Sequence, residues 1–383
     1  MKIFARTFFF VFIFSLSTAS GDTVWRQYGF NAAHTSFNDN ETILNRSNVS
    51  RLVHAWSVRV GQIDPSTPVL GFSNLFFSRG GHVTALKARS GNKLWESFSC
   101  FGCQIPQPAL GQGVLIVGNT RGFLTGYEPS TGVPRWFVDV GGTITSAPAV
   151  KDGTIYVTNG VDAVAVDERS HRELWRFRPG DSIFLDNTPA VGNGAIYVTG
   201  ARNNAVFALD QATGQKLWRH NLQTHFGTSA PSVANGIVYV GGDFLFALSA
   251  ADGHLVWVNH SVGVDVSTPA IAYGKVFVDA EDPAPGLFAF NARDGSFVWQ
   301  AEVADESSDA VTVANGVVYE MEEGQLNMFD AQDGSFLGSI AAPKGGLFDG
   351  SFNSQPVVAN GTLYISTRHS SSSPGIVEAF RLP

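Results

Sequence analysis

The sequence predicts an all-β, eight-bladed propeller of four-stranded blades, closed by its N-terminal strand. Three observations predict it. A phrase recurs eight times with a period near 40 residues, clearest from Thr188 to Trp218. Tryptophans mark its end at positions 56, 95, 136, 175, 218, 257 and 299, separated by 39, 41, 39, 43, 39 and 42 residues. Glycine-bearing turns separate short apolar runs, which suits tight connections between short strands.

One unit shows how each element arises. In Ala230–Trp257, Pro231 opens strand A, where a missing N–H is tolerated. Asn235-Gly236 is a two-residue hairpin signal. Ile237 to Val240 forms strand B and Leu245 to Leu248 strand C. Asp252-Gly253 makes the next turn, and Leu255 to Val258 is strand D with its tryptophan. Prolines at 68, 108, 148, 189, 269 and 356 mark strand A in the other units, as Pro231 does in this one. Ala310 is assigned the proline place in the seventh unit, where Gly338 replaces the tryptophan. The eighth unit ends after strand C, near Val377 to Leu382. Its missing strand D is available upstream at His54 to Val58, and pairing there would remove two exposed sheet edges. One tryptophan per blade at a fixed strand position reads as packing between blades, not as a set of ligand platforms.

Residues 1–20 read as a secretory signal, residues 21–53 as a lead-in segment and residues 54–383 as the propeller. Lys2 and Arg6 give the signal its positive start, and Phe8 to Leu16 is an apolar run too short to span a bilayer. Small residues follow, with cleavage expected after Ala19 or Ser20, and no cysteine near it to carry a lipid. The expected location is secreted or periplasmic, without stable membrane insertion.

Charged residues are 15% of the chain, against about 25% in ordinary soluble proteins. The net charge is −8, which argues against nucleic acid and anionic membranes as partners. No nucleophile elbow, phosphate loop or HExxH occurs. Cys100 and Cys103 are the two cysteines, in a loop joining two blades. Gln104 follows where a c-type haem needs histidine, and no second ligand pair at zinc spacing is evident. A local disulfide is the expected state in an exported protein.

Blade geometry puts the D-to-A and B-to-C loops on one face. The irregular loops belong there: Cys100–Cys103, Glu281–Gly286, Ser339–Gln355 and Arg368–Gly375. Variable loops on a regular scaffold are the usual place for binding. Residues just before each strand A should ring the channel mouth. The polar ones are Asp64, Gln107, Asp186, Asn187, His225, Asp265, Asp309 and Asn353. Carboxylates converging with amides could hold calcium. Solvated loop residues, or partners of the strand A backbone, are the alternative. Arg176 and Arg178 could balance these carboxylates or bind an anion; surface charge is the plainer reading.

The pattern G-x-(I/V)-Y-V…(F/Y)-A-L-D-x-x-(T/D)-G-x-x-x-W, as in Gly194–Trp218 and Gly236–Trp257, resembles the pyrroloquinoline-quinone (PQQ) type propeller repeat. The stretches Trp25–Asn38 and Asn48–Trp56 look like the lead-in of the same superfamily. The resemblance implies two kinds of relative. Quinoprotein alcohol dehydrogenases hold PQQ and calcium in the central funnel. The outer-membrane assembly factor BamB and many secreted propellers are non-catalytic. The dehydrogenases are longer and carry a Trp-Asp-x-Asp segment with the catalytic aspartate, which has no counterpart here. Their adjacent cysteine pair lies against the cofactor, whereas two residues separate Cys100 from Cys103.

The expected function is therefore an exported, non-catalytic binding or scaffold module. Its partner is a protein or small molecule at the loop-rich face, with no cofactor assigned. A small PQQ- and calcium-dependent dehydrogenase and a BamB-like assembly partner are the alternatives.

Overall fold

The structure, a computed structural model, describes residues 24–61, 63–180, 183–200, 204–222, 224, 227–262, 266–280, 285–303, 311–322, 325–341, 354–368 and 374–383. Eight sheets form the ring, and each runs A-B-C-D outward from the channel. Blade 1 is Val69–Gly71, Asn74–Arg79, His82–Lys87 and Lys93–Phe98. The inner strands of blades 2 to 8 are Ala109–Leu110, Ala149–Lys151, Ala190–Gly192, Ser232–Ala234, Ala270–Ala272, Thr312–Ala314 and Val357–Ala359. Among the described residues, no helix is long and apolar enough to cross a membrane. The expected signal at residues 1–20 lies outside the described residues.

Local chemistry sets the hairpins. The A-to-B turns Asp152-Gly153, Asn193-Gly194, Asn235-Gly236, Asn315-Gly316 and Asn360-Gly361 have positive φ at both residues. That is the turn whose twist matches two antiparallel strands. The ring closes as expected from the N-terminal side. Val53–Gly61 pairs antiparallel with Gly375–Arg381, from Val53 opposite Arg381 to Gly61 opposite Gly375.

The tryptophans form the seams between blades. Trp218 is buried, and its indole N–H donates to Ala250 O of the next blade at 3.0 Å. Its ring lies against the turn at Gly253, where an added Cβ would come within 2.5 Å of the indole. Gly253 has φ +74, so the turn needs glycine for both conformation and space. Equivalent indole bonds run from Trp56 to Ala88 O, Trp95 to Pro129 O, Trp175 to Gln211 O and Trp257 to Ala292 O.

Trp299 packs on the Gly334 turn, but its indole N–H has no hydrogen-bond partner among the described residues, and two further seams depart from the rule. Trp136 meets His171 where other blades have glycine, and the two rings stack with centroids 4.7 Å apart. His171 holds φ 58, a conformation that costs a non-glycine residue strain. The seventh blade ends in Gly338, which faces Ser50 of the short turn Val49–Arg51 leading to the closing strand. A tryptophan there would meet an entering chain and not a hairpin turn.

One assignment needs correcting. Val313 occupies the middle of its inner strand, as Leu70 and Val358 do in theirs. Counting back two residues puts Val311, not Ala310, at the proline place of blade 7. Ala310 itself lies outside the described residues. Likewise Ser339–Ala341, expected to start an irregular segment, belongs to strand Phe336–Ala341.

The lead-in segment crosses the base of the channel and bonds to all eight inner strands in order. Trp25 exchanges backbone bonds with Leu70 at 3.0 and 2.8 Å, and Leu110 N–H donates to Arg26 O at 2.7 Å. At blade 3 the backbone does not reach. There the Gln27 amide replaces it, accepting from Val150 N–H at 2.7 Å and donating to Val150 O at 3.2 Å. Val191, Val233, Ile271 and Val313 then donate to the carbonyls of Ala32, Ala33, Thr35 and Ser36. Asn38 Nδ2 finishes the circuit on Val358 O at 2.7 Å. Phe37–Asn38 also adds a parallel fifth strand to blade 7.

Candidate functional site

With its base crossed by the lead-in, the channel is a funnel that opens on the loop-rich face. Its cavity is about 700 Å³, with Tyr28 of the lead-in at the bottom. The walls are the residues just before strand A in blades 1 to 6, chiefly threonine, serine, amide and small side chains.

Those hydroxyls recur because they hold the fold. Two residues before the strand A proline stand Ser66, Ser146, Asn187, Ser229, Ser267 and Ser354. Each reaches the residue twelve positions on, in strand B or just beyond its end. Ser229 Oγ accepts Gly241 N–H, Ser267 Oγ accepts Asp279 N–H and Ser354 Oγ accepts Ser366 N–H, each at 2.9 Å. Ser66 takes Ser78 N–H at 3.1 Å, and Ser146 meets the Thr158 hydroxyl at 2.7 Å. A second set crosses between blades. Ser78 Oγ donates to Pro106 O at 2.6 Å, and Thr158 Oγ1 donates to Asn187 O at 2.9 Å.

The expected mouth residues divide against this frame. Gln107, Asp186 and Asn187 line the same funnel. The Asn187 amide nitrogen serves structure, donating to Thr199 Oγ1 and Thr228 O at 2.7 Å. Asp64 is not among the lining residues. His225, Asp265, Asp309 and Asn353 lie outside the described residues, as do most residues of the loops at 281–286, 339–355 and 368–375.

Sequence reasoning missed most of the lining, including Tyr28, Thr67, Ser146 and Thr228. Tyr28 hydroxyl donates to Thr268 Oγ1 at 2.8 Å, and its ring meets His34 edge-on at 5.1 Å. His34 is fully buried beneath it, bonded through Nδ1 to Pro231 O at 2.9 Å. Burial lowers its pKa to about 4, against the raising effect of that bond, so the ring is neutral at pH 7. Nδ1 then carries the proton it donates. The Ser/Thr run before each proline was a visible signal for Thr228. Nothing in the sequence pointed to Tyr28.

Arg176 and Arg178 do not face the funnel as available cations. Both close on buried Asp162, Arg178 through Nε at 2.6 Å and Arg176 through an Nη at 2.7 Å. Burial opposes ionisation of Asp162, but the two guanidiniums outweigh it and hold its carboxyl below the usual range. Cys100 and Cys103 form the expected disulfide. It sits in the apolar core between blades 1 and 2, with Val69, Phe76, Ile105 and Leu110.

The match to known proteins agrees with this architecture. A family model described as outer membrane protein assembly factor BamB matches residues 79–206 and 202–377. The chain belongs to the PQQ-like β-propeller family. It is 26% identical over 329 residues to BamB of Yersinia pestis, covering 78% of this chain and 80% of that protein. It is 28% identical over 206 residues to quinohemoprotein alcohol dehydrogenase ADH IIB of Pseudomonas putida, covering 47% of this chain and 29% of the dehydrogenase. The solved quinohemoprotein alcohol dehydrogenase of Comamonas testosteroni superposes with a TM-score of 0.79 at 16% identity, over 94% of this chain and 80% of that one. That likeness shows the fold.

PQQ is planar and carries three carboxylates, so a site for it needs cationic partners and a flat apolar surface. The described lining of this PQQ-like propeller offers the Tyr28 ring, hydroxyls, amides and the carboxylate of Asp186, with no Lys or Arg among the described lining residues. The disulfide packs between blades and is not among the lining residues. The residues described at the funnel do not fit the quinone.

Proposed function

We infer that the chain is an exported, non-catalytic member of the family that binds a partner or small ligand through its loop-rich face. The observation that carries this reading is the funnel itself. It is closed at the base by Trp25–Asn38 and lined by hydroxyl and amide groups where a tricarboxylate would need cations. Gln107 and Asp186 are the expected ligand contacts among the described residues. The signal-like start at residues 1–20 and the disulfide both suit an oxidising compartment outside the cytoplasm.

The test is titration of the purified protein with PQQ and calcium, followed by an assay of alcohol-dependent dye reduction. Neither binding nor turnover is expected. Dye reduction that depends on alcohol and added PQQ would sink the reading and establish a dehydrogenase. A second reading, a BamB-like assembly role, is favoured by the family description and by the 80% coverage of the Yersinia protein. Co-purification with an outer-membrane complex would select it.

A further inference from the structure

On the base face, the seam where the ring closes differs in charge from its neighbours. A cavity of about 570 Å³ lies there between blades 8 and 1, among the A-to-B and C-to-D turns. Trp56, Leu70, Tyr364 and Leu382 give it apolar walls, and Arg89 and Arg381 supply two cations. The Trp56 indole N–H is taken by Ala88 O at 3.1 Å, and its ring lies 6.1 Å from that of Tyr364. No Asp or Glu is among the described lining residues, although the chain as a whole has a net charge of −8. Both arginines are exposed, and neither has a hydrogen-bond or ion-pair partner among the described residues.

Arg381 stands where other blades have a carboxylate. In the ladder it lies opposite Thr362, the first residue of strand B. Asp167, Asp210 and Asp330 hold that place in blades 3, 4 and 7. Each of them caps its C-to-D turn, accepting Ser170, Thr213 and Gln332 N–H at 2.6, 2.8 and 2.7 Å. Blade 8 has no such turn, because its strand D enters from the N-terminal side. The place is released from capping, and a guanidinium occupies it near Tyr364. Burial raises the pKa of that phenol, against a Thr362 hydrogen bond and the Arg381 charge. The cavity between blades 6 and 7 keeps the ordinary arrangement, with Arg46 tied to Asp330 at 3.2 Å.

These features select a ligand. A guanidinium pairs best with a carboxylate or phosphate, and two of them on a cavity without carboxylates call for an anion. The apolar walls call for a hydrophobic body of about one or two rings, the size such a cavity encloses. PQQ fits poorly, since two guanidiniums would leave its third carboxylate on an apolar wall. We propose that the closure seam is a second binding site, separate from the funnel, for a small organic anion with one carboxylate or phosphate on an apolar body. Arg89 and Arg381 pair with the anionic group, and the Trp56–Tyr364 wall holds the body.

The test is isothermal titration calorimetry of the whole purified protein with phenyl phosphate and phenylacetate, and with benzyl alcohol and inorganic phosphate as comparators. Saturable one-to-one binding of at least one aromatic anion is expected, weakening with added salt. Benzyl alcohol, for want of charge, and inorganic phosphate, for want of an apolar body, should each bind about tenfold more weakly or less. Arg89→Gln and Arg381→Gln should each weaken binding of the aromatic anion about tenfold. Arg169→Gln should leave it unchanged, because Arg169 holds the place of Arg89 in the blade 3 turn, beside Asp167 and Glu168. Neither seam arginine bonds to another described residue, so both seam variants should melt with the parent. That separates ligand contact from structural support. No saturable heat with either aromatic anion overturns the proposal. So does equal binding of inorganic phosphate, binding that both seam variants leave unchanged, or a loss of binding that comes with a lower melting temperature. The site lies on the face opposite the funnel mouth, so its failure leaves the reading of the loop-rich face standing.

Discussion

The two ends of the channel use the same inner strands in opposite ways. At the base, the middle residue of every strand A is bonded to one continuous segment, Trp25–Asn38. At the mouth, the residues preceding strand A bond among themselves through short hydroxyl links, and Gln107 and Thr228 are left over. The base is thus a seal made by one segment and the mouth a frame of separate links between neighbouring blades. The seal carries strain: Phe30, His34 and Ser36 all have positive φ. Such backbone persists where its surroundings over-determine it, and the bonds to eight blades do so here. Gly29 marks the tightest point, since a Cβ there would lie 2.7 Å from His34 Cα.

If this contrast is right, perturbations at the base should cost more than those at the mouth. The largest effect should come from acid acting on His34. Its folded pKa, about 4, lies below the ordinary 6.5. The stability it contributes is therefore fully present above pH 6.5 and is lost as pH falls through 4, by up to about 3 kcal/mol. Denaturant melts between pH 7 and pH 4 should show this loss in the parent and much less in His34→Gln. Equal slopes in the two proteins would refute the role given to His34.

Next is Gln27→Ala. It leaves the Val150 N–H and C=O without the amide that replaces a backbone partner, at a cost of about 2 kcal/mol. A midpoint within error of the parent would mean that water substitutes there and the seal is loose at blade 3. At the mouth, Ser229→Ala removes one bond to Gly241 N–H and one to Ala230 O, at 2.9 and 3.1 Å. The expected loss is about 1 kcal/mol in the same melts. Smallest is Thr228→Val, expected within about 0.5 kcal/mol of the parent or slightly stabilising. A loss as large as that of Ser229→Ala would place Thr228 in the structural frame and erase the distinction at the mouth.

Legibility in the sequence followed the range of the interactions. The hairpins at Asn193-Gly194 and Asn235-Gly236 could be read because two adjacent residues decide their turn. The closing strand was legible at Trp56 because the repeat left one vacancy. The exception at His171 was also visible, as a histidine in the turn place, but its stacking on Trp136 was not. Blade 7 was misaligned by one residue at Ala310 because it lacks both the proline and the tryptophan that mark the other units. Gln107, Asp186 and Asn187 line one cavity. Their different surroundings could not be foreseen, since the Asn187 amide depends on carbonyls 41 residues away.

By itself the sequence determined the number of blades, their turns and the tryptophan seams. These repeat every unit and rest on contacts within a blade or with the next one. Tertiary structure alone decided that Trp25–Asn38 seals the channel, because those fourteen residues have no periodicity and their partners are spread over all eight blades. It also decided which mouth groups are hydrogen-bonded. Whether a buried amide or hydroxyl is satisfied depends on backbone brought to it by ring closure, and no local pattern records that.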